Sequence, residues 1–237
     1  AVTLTVSLTQ SLDTDWVPAD IPDSTITANL TDSQATGPPS APTGLTPTST
    51  EGGVDLTWTV PPTAATTTIY WTDNPTTPID PSNPATYDGS VVVNAPASST
   101  SITGLNPALD YDFTAVANNG LGDSSPSSEV NAKPIPATPT GLTATDSQGG
   151  GINVSWNSST GSDNYTVYWT SNPAVPIDPA NPATYDNSTT VTGTSTSITG
   201  LPVGTPYDVT VVATNTAGNS SPATEVNATP TLVLPAA

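Results

Sequence analysis

The sequence predicts an all-β chain: two sandwiches in tandem with an N-terminal β-strand extension. Three observations carry this. Apolar residues come in short runs that alternate with polar ones, the period of a strand with one greasy face, and Gly, Pro, Asn and Asp clusters separate the runs. A segment that starts at Pro42 starts again at Pro139, so the chain is internally duplicated. No stretch has convincing helical periodicity. The 27 prolines, 17 glycines, 46 threonines and 26 serines would suit a disordered chain, but their order, as punctuation between apolar runs, argues for many turns.

The first element is Ala1–Gln10, where Val2, Leu4, Val6 and Leu8 alternate with Thr3, Thr5, Ser7 and Thr9. A lone strand cannot satisfy its amides or bury its apolar face. It therefore reads as a donor strand at the head of an extension over residues 1–40, in which Thr25–Leu30 has the pattern of a second short strand. The first module is expected over residues 41–133, the second over residues 134–230, and a short tail over residues 231–237.

Within the modules the repeats run in register. Ala-Pro-Thr-Gly-Leu at Ala41 recurs as Thr-Pro-Thr-Gly-Leu at Thr138. The strand ending at Trp58 matches the strand ending at Trp156, and Ile69-Tyr-Trp-Thr matches Val167-Tyr-Trp-Thr. Ser-Ile-Thr-Gly-Leu at Ser101 recurs at Ser197, each followed by a tyrosine strand, at Tyr111 and at Tyr207. Each copy closes with Ser-Ser-Pro and Glu-Val-Asn-Ala, at Glu129 and Glu225.

These motifs, in one order and twice over, resemble the fibronectin type III family, here as tandem modules of a secreted prokaryotic surface protein. The resemblance covers roughly Pro42 to Lys133 and Pro139 to Pro230. It implies two antiparallel sandwiches of seven strands each, with Trp58 and Trp156 in the cores and a tyrosine corner at Tyr111 and Tyr207. The residues agree: Val54, Leu56 and Trp58 share one face of a strand, as do Ile152, Val154 and Trp156. The chain departs from the family pattern in a long loop after the third strand, Thr72 to Asp88 and again Thr170 to Asp186. Both copies carry Pro-Ile-Asp-Pro-x-Asn-Pro-Ala-Thr-Tyr-Asp, and their prolines predict a stiff, fixed shape.

Chemistry is scarce. Without His, Cys or Arg, and with Lys133 as the one basic side chain, the chain has no ordinary general base, thiolate or cationic clamp. It is expected not to be an enzyme. No cofactor is expected either; calcium is the one metal weighed, on Asp73, Asp80, Asp88, Asp178 and Asp186. The plain alternative is that Asp80 and Asp178 make turns while Tyr87 and Tyr185 pack the loop. Sequons at Asn29, Asn153, Asn157, Asn164, Asn187, Asn219 and Asn227 are possible glycosylation sites.

Twenty acidic residues against one basic exclude nucleic acid and anionic membrane as partners. No apolar run approaches the ~20 residues of a membrane span. A start at Ala suggests a removed signal peptide and a secreted or cell-surface protein. With no arginine, an Arg-Gly-Asp adhesion loop is impossible. The linker Lys133-Pro-Ile-Pro-Ala-Thr-Pro predicts a semi-rigid pair.

Function then falls to the first strand. The first reading is a filament subunit, a homopolymer assembled by donating Val2, Leu4, Val6 and Leu8 to a neighbour. The alternative is a spacer, adhesion or carbohydrate-binding module of a larger secreted adhesin or polysaccharide-active enzyme, with Tyr70 and Tyr168 placed to stack on sugars.

Overall fold

Alternation along a strand buries one face and wets the other, so each run needs a ladder beside it and a second sheet across from it. The structure, a computed structural model, describes residues 36–232. The expected donor strand with Val2, Leu4, Val6 and Leu8, the sequon Asn29 and the end of the tail lie outside the described residues.

Seven strands make the first sandwich: β1 (Thr43–Thr50), β2 (Gly53–Thr59), β3 (Thr66–Thr72), β4 (Gly89–Asn94), β5 (Ser99–Thr103), β6 (Tyr111–Asn118) and β7 (Val130–Ala132). One sheet has the order β1-β2-β5, the other β4-β3-β6-β7, and every pairing within them is antiparallel. The second sandwich repeats this with β8 (Thr143–Asp146), β9 (Ile152–Ser155), β10 (Asn164–Thr170), β11 (Asn187–Val191), β12 (Ser195–Ile198), β13 (Tyr207–Asn215) and β15 (Val226–Ala228). It adds an eighth, two-residue strand, β14 (Gly218–Asn219), where the first copy makes only a single bridge between Asn118 and Asp123. The fold is thus two fibronectin type III-like sandwiches, as the motifs imply.

Strand β2 shows the logic. Val54, Leu56 and Trp58 are buried, while Asp55, Thr57 and Thr59 are exposed. In the facing sheet Ile69 on β3 pairs with Ala115 on β6 and Trp71 with Phe113, the chain's one phenylalanine. Trp58 and Trp156 are each 5% exposed, so both are core residues.

The copies fill equivalent interiors differently. The first puts Phe113 on β6 and the small Thr67 on β3, whereas the second puts Val209 on β13 and Tyr165 on β10. Tyr165 packs on Trp156 with ring centroids 5.4 Å apart. Its hydroxyl accepts from Ser159 N and bonds Ser162 Oγ, both at 2.7 Å. Buried Thr67 Oγ1 has no partner among the described residues.

One sheet face departs from simple alternation. Thr114 and Val116 on β6, and Thr210 and Val212 on β13, are buried although they point away from the core. An antiparallel sheet of this kind would ordinarily leave that face to water. The cover comes from the Ser-Ser-Pro segment, where Ser124 Oγ and Ser127 Oγ accept from Ala117 N and Ala115 N, and from the proline loop.

Candidate functional sites: the proline loops and the joint between the sandwiches

Each residue of the loop motif has a local task, the same in both copies. Asp80 Oδ1 accepts from Ser82 N at 2.9 Å and closes a turn, as Asp178 Oδ1 does from Ala180 N. Asn83 caps a short 3-10 turn, Pro84–Thr86, by accepting from Ala85 N, and Asn181 does so for Pro182–Thr184. Thr86 Oγ1 accepts from Asp80 N at 2.8 Å and Thr184 Oγ1 from Asp178 N at 2.8 Å. Asp88 Oδ2 accepts from Asp73 N, and Asp186 Oδ2 from Ser171 N, tying the two ends of each loop together.

The loop is then laid on the sheet. Ile79 is 6% exposed and its amide donates to Glu129 Oε1 at 2.6 Å; Ile177 is 4% exposed and donates to Glu225 Oε1 at 2.6 Å. Tyr87 meets Tyr70 edge-to-face at 4.9 Å, and Tyr185 meets Tyr168 at 4.8 Å. Burial, with the neighbouring phenol next in weight, pushes the Tyr70 and Tyr168 hydroxyls above the usual tyrosine range. All four rings are half-buried. Sequence reasoning placed Tyr70 and Tyr168 outward but missed that the loop tyrosines close against them. The signal was the spacing of Tyr87 and Tyr185 in an otherwise identical motif.

Of the five acidic residues weighed for calcium, Asp80, Asp88, Asp178 and Asp186 accept backbone amides, and Asp73 gives its own amide to Asp88. Among the described residues no group of three or more His, Cys, Asp or Glu side chains is close enough to hold a metal ion. Hydrogen bonds from Ser82, side chain first and then backbone, hold the Asp80 carboxyl below its usual range. Of the sequons, Asn153, Asn157, Asn187, Asn219 and Asn227 are exposed and Asn164 is half-buried. Asn157 and Asn227 use their amide nitrogens in hydrogen bonds to Thr140 and Asp208.

The tyrosine corner survives in one copy. Asn106 N donates to Tyr111 Oη at 3.0 Å. At the same position before Tyr207 stands Pro202, which has no N–H to give. An open groove of about 490 Å³ at the other end of the first sandwich is lined by Trp58, Val60, Pro61, Pro62 and Pro96. Ser158, Ser159 and Thr160 replace Val60, Pro61 and Pro62 in the second copy, so this groove is no shared feature of the modules.

The joint between the sandwiches was the feature least legible in the sequence. Glu51, in the turn between β1 and β2, accepts from Thr138 N at 3.0 Å and from Ser221 N at 2.5 Å. Its pKa feels burial pushing it up, but the bonds from Ser221 and Thr138 outweigh this and hold it below the usual glutamate range. Asn215, 5% exposed, donates from Nδ2 to Pro134 O at 2.9 Å and to Pro107 O at 3.3 Å. Linker residue Ile135 bonds Thr50 O and Gly52 N at 2.9 and 3.0 Å. Gly161, at φ +74°, lies so close that a Cβ there would stand 2.3 Å from Pro107 C. The linker is therefore clasped from both sides.

Comparisons with known proteins agree with this architecture. Residues 137–229 match the model of the fibronectin type III domain. Over 148 residues, 58% of the chain, the sequence is 32% identical to chitinase A1 of Niallia circulans. The chain spans only 20% of the length of that relative. Among solved structures, a two-domain fibronectin type III segment from chicken tenascin is 20% identical, with 79% of this chain and 98% of that one covered and a TM-score of 0.48. The three-domain FN1-FN3 segment of chicken CNTN1 is 19% identical, covering 81% of this chain and 65% of that one, with a TM-score of 0.37. The fold assignment here rests on the strand pairing and not on these two likenesses.

The interior of each sandwich is apolar, and the sequence has no His, Cys or Arg. No helix among the described residues is long and apolar enough to cross a membrane.

Proposed function

We propose that the chain is a spacer region of a larger extracellular protein that acts on or adheres to a polysaccharide, holding its neighbours at a set separation. The observation that supports this most is the joint, where Glu51 and Asn215 clasp the linker and both sandwiches at once. A flexible tether would need none of these bonds. The likeness to part of a chitinase supports the larger protein, and the acidic surface supports life in an aqueous, salty medium where cations screen self-repulsion. The half-buried, edge-to-face tyrosine pairs favour spacing over sugar binding, because in each pair the edge of one ring covers a face of the other.

Two measurements test it. Small-angle scattering should give one interdomain distance for the native chain and a broadened distribution for Glu51→Ala/Asn215→Ala. The native chain should also stay in solution when mixed with insoluble chitin or cellulose. Retention that is lost in Tyr70→Ala/Tyr168→Ala would replace the spacer with a binding module. Strand donation by Val2, Leu4, Val6 and Leu8 rests on residues 1–10 alone and takes second place, since the relative favours a module within a larger protein. Electron microscopy of the native protein with and without residues 1–10 decides it.

A further inference from the structure

The two ends of the pair carry the two halves of the joint that lies between them. At the entering end of the first sandwich, Asn119 stands where Asn215 stands in the second, in the register set by Tyr111 and Tyr207. Asn119 Nδ2 donates to Gly37 O at 2.9 Å, as Asn215 Nδ2 donates to Pro134 O. Three residues on, a Cβ at Gly122 would stand 3.1 Å from Pro38, and one at Gly218 would stand 3.4 Å from Ile135. Both sandwiches thus grip the chain that enters them with one Asn-x-x-Gly turn.

The far end of the second sandwich carries the other half. Gly150 N donates to Thr231 O at 3.3 Å, as Gly52 N donates to Ile135 O. Leu201 N bonds Gly150 O and Leu105 N bonds Gly52 O, at 2.9 and 3.0 Å. Asp146 receives Thr231 N at 3.0 Å and the Thr231 hydroxyl, where the matching Ile135 N goes to Thr50 O; Gly149 stands at the position of Glu51. The departing chain is set on the path of the linker.

What differs is the cover. Pro107 and Pro136 are buried at the joint. Their counterparts, Val203 and Leu232, are 43% and 65% exposed, and with Gly204 and Pro230 they line an open groove of about 370 Å³. The sequence keeps the linker's register past this point: Pro235 falls where Pro139 opens the second sandwich.

We propose that this end of the second sandwich is a docking surface for a further fibronectin type III-like sandwich, continuous with the same polypeptide, that enters with an Asn-x-x-Gly turn over Val203 and Leu232. A second copy of the chain docking from outside fits poorly. At the existing joint one linker segment serves both sandwiches, whereas an outside copy would bring its own Gly37–Pro38 into the space that Pro230–Thr231 occupies. The inference holds whatever the assembled array carries, so it stands or falls apart from the spacer reading.

The test is residues 1–234 followed by a second copy of residues 139–230, a sandwich the chain already folds. Amide relaxation by NMR should show the third sandwich tumbling with the other two, with Val203 and Leu232 shifted and Gly150 protected from exchange. Val203→Asp, or alanine at the appended counterpart of Asn215, should release it. A third sandwich that tumbles as freely as one joined through a long Gly-Ser insert overturns the proposal. So does coupling that Val203→Asp leaves unchanged, and so does concentration-dependent self-association of the native chain through Val203 and Leu232.

Discussion

The Glu51 carboxylate accepts the backbone amide of Ser221 at 2.5 Å, across 170 residues of sequence. It accepts from Thr138 as well, so one side chain of the first sandwich holds both the start and a distant turn of the second. A carboxylate that accepts two backbone amides is worth more as an anion than as an acid, even where it is exposed.

That sets a pH dependence. Burial raises the Glu51 pKa, the hydrogen bonds from Ser221 and Thr138 more than offset it, and the net shift is downward. A depressed folded pKa gives stabilisation that is present above the unfolded value and lost as pH falls through the folded one. The joint should therefore be closed at neutral pH and loosen on acidification below ~4.3, the ordinary glutamate value. Interdomain orientation by residual dipolar couplings, followed from neutral to acid pH, checks this, and Glu51→Gln should remove most of the dependence.

Asn215→Ala leaves Pro107 O and Pro134 O without their donor in a place water reaches poorly, at a cost of about 1–3 kcal/mol to docking. Gly161→Ala should open the joint more drastically, because its Cβ collides with backbone at Pro107 and the positive φ strains any side chain. Scattering profiles of the two variants should show a wider spread of interdomain distances, with each sandwich still folded.

Phenylalanine at the two corner tyrosines should separate the copies. Tyr111→Phe loses the bond from Asn106 N and should destabilise the first sandwich by about 1 kcal/mol. Tyr207→Phe should cost less, since Pro202 offers no amide. Chemical denaturation of each variant, read by the intrinsic tryptophans, gives the comparison.

The unequal cores predict opposite signs. Tyr165→Phe gives up the bonds with Ser159 and Ser162 and should cost about 1–2 kcal/mol. Thr67→Val removes a buried hydroxyl with no partner among the described residues, and should be neutral or stabilising by up to about 1 kcal/mol. Equilibrium unfolding of both variants reads the sign directly.

Asp80, Asp88, Asp178 and Asp186 already accept backbone amides in separate turns. Calcium or a chelator should therefore leave the thermal midpoint where it is. A rise with calcium that Asp80→Asn abolishes would restore a metal to the loop.

By itself the sequence determined the all-β class, the duplication, the strand faces and the core tryptophans. These follow from short-range patterns: a period of two decides which side chains face inward, and Gly, Pro and Asn mark where the chain turns. The restricted backbone of the proline loops was equally legible, because proline limits its own φ wherever it stands. Tertiary structure alone decided where each loop lies, since Ile79 and Ile177 become core-like only once Glu129 and Glu225, just before the distant strands β7 and β15, receive their amides. It also decided the joint. Glu51, Asn215 and Gly161 are an ordinary turn glutamate, asparagine and glycine in one dimension, and they become a clasp only when two folded surfaces bring Pro107, Pro134 and Ser221 to them. Contacts between residues far apart in the chain depend on the relative placement of whole sheets, and no local pattern encodes that.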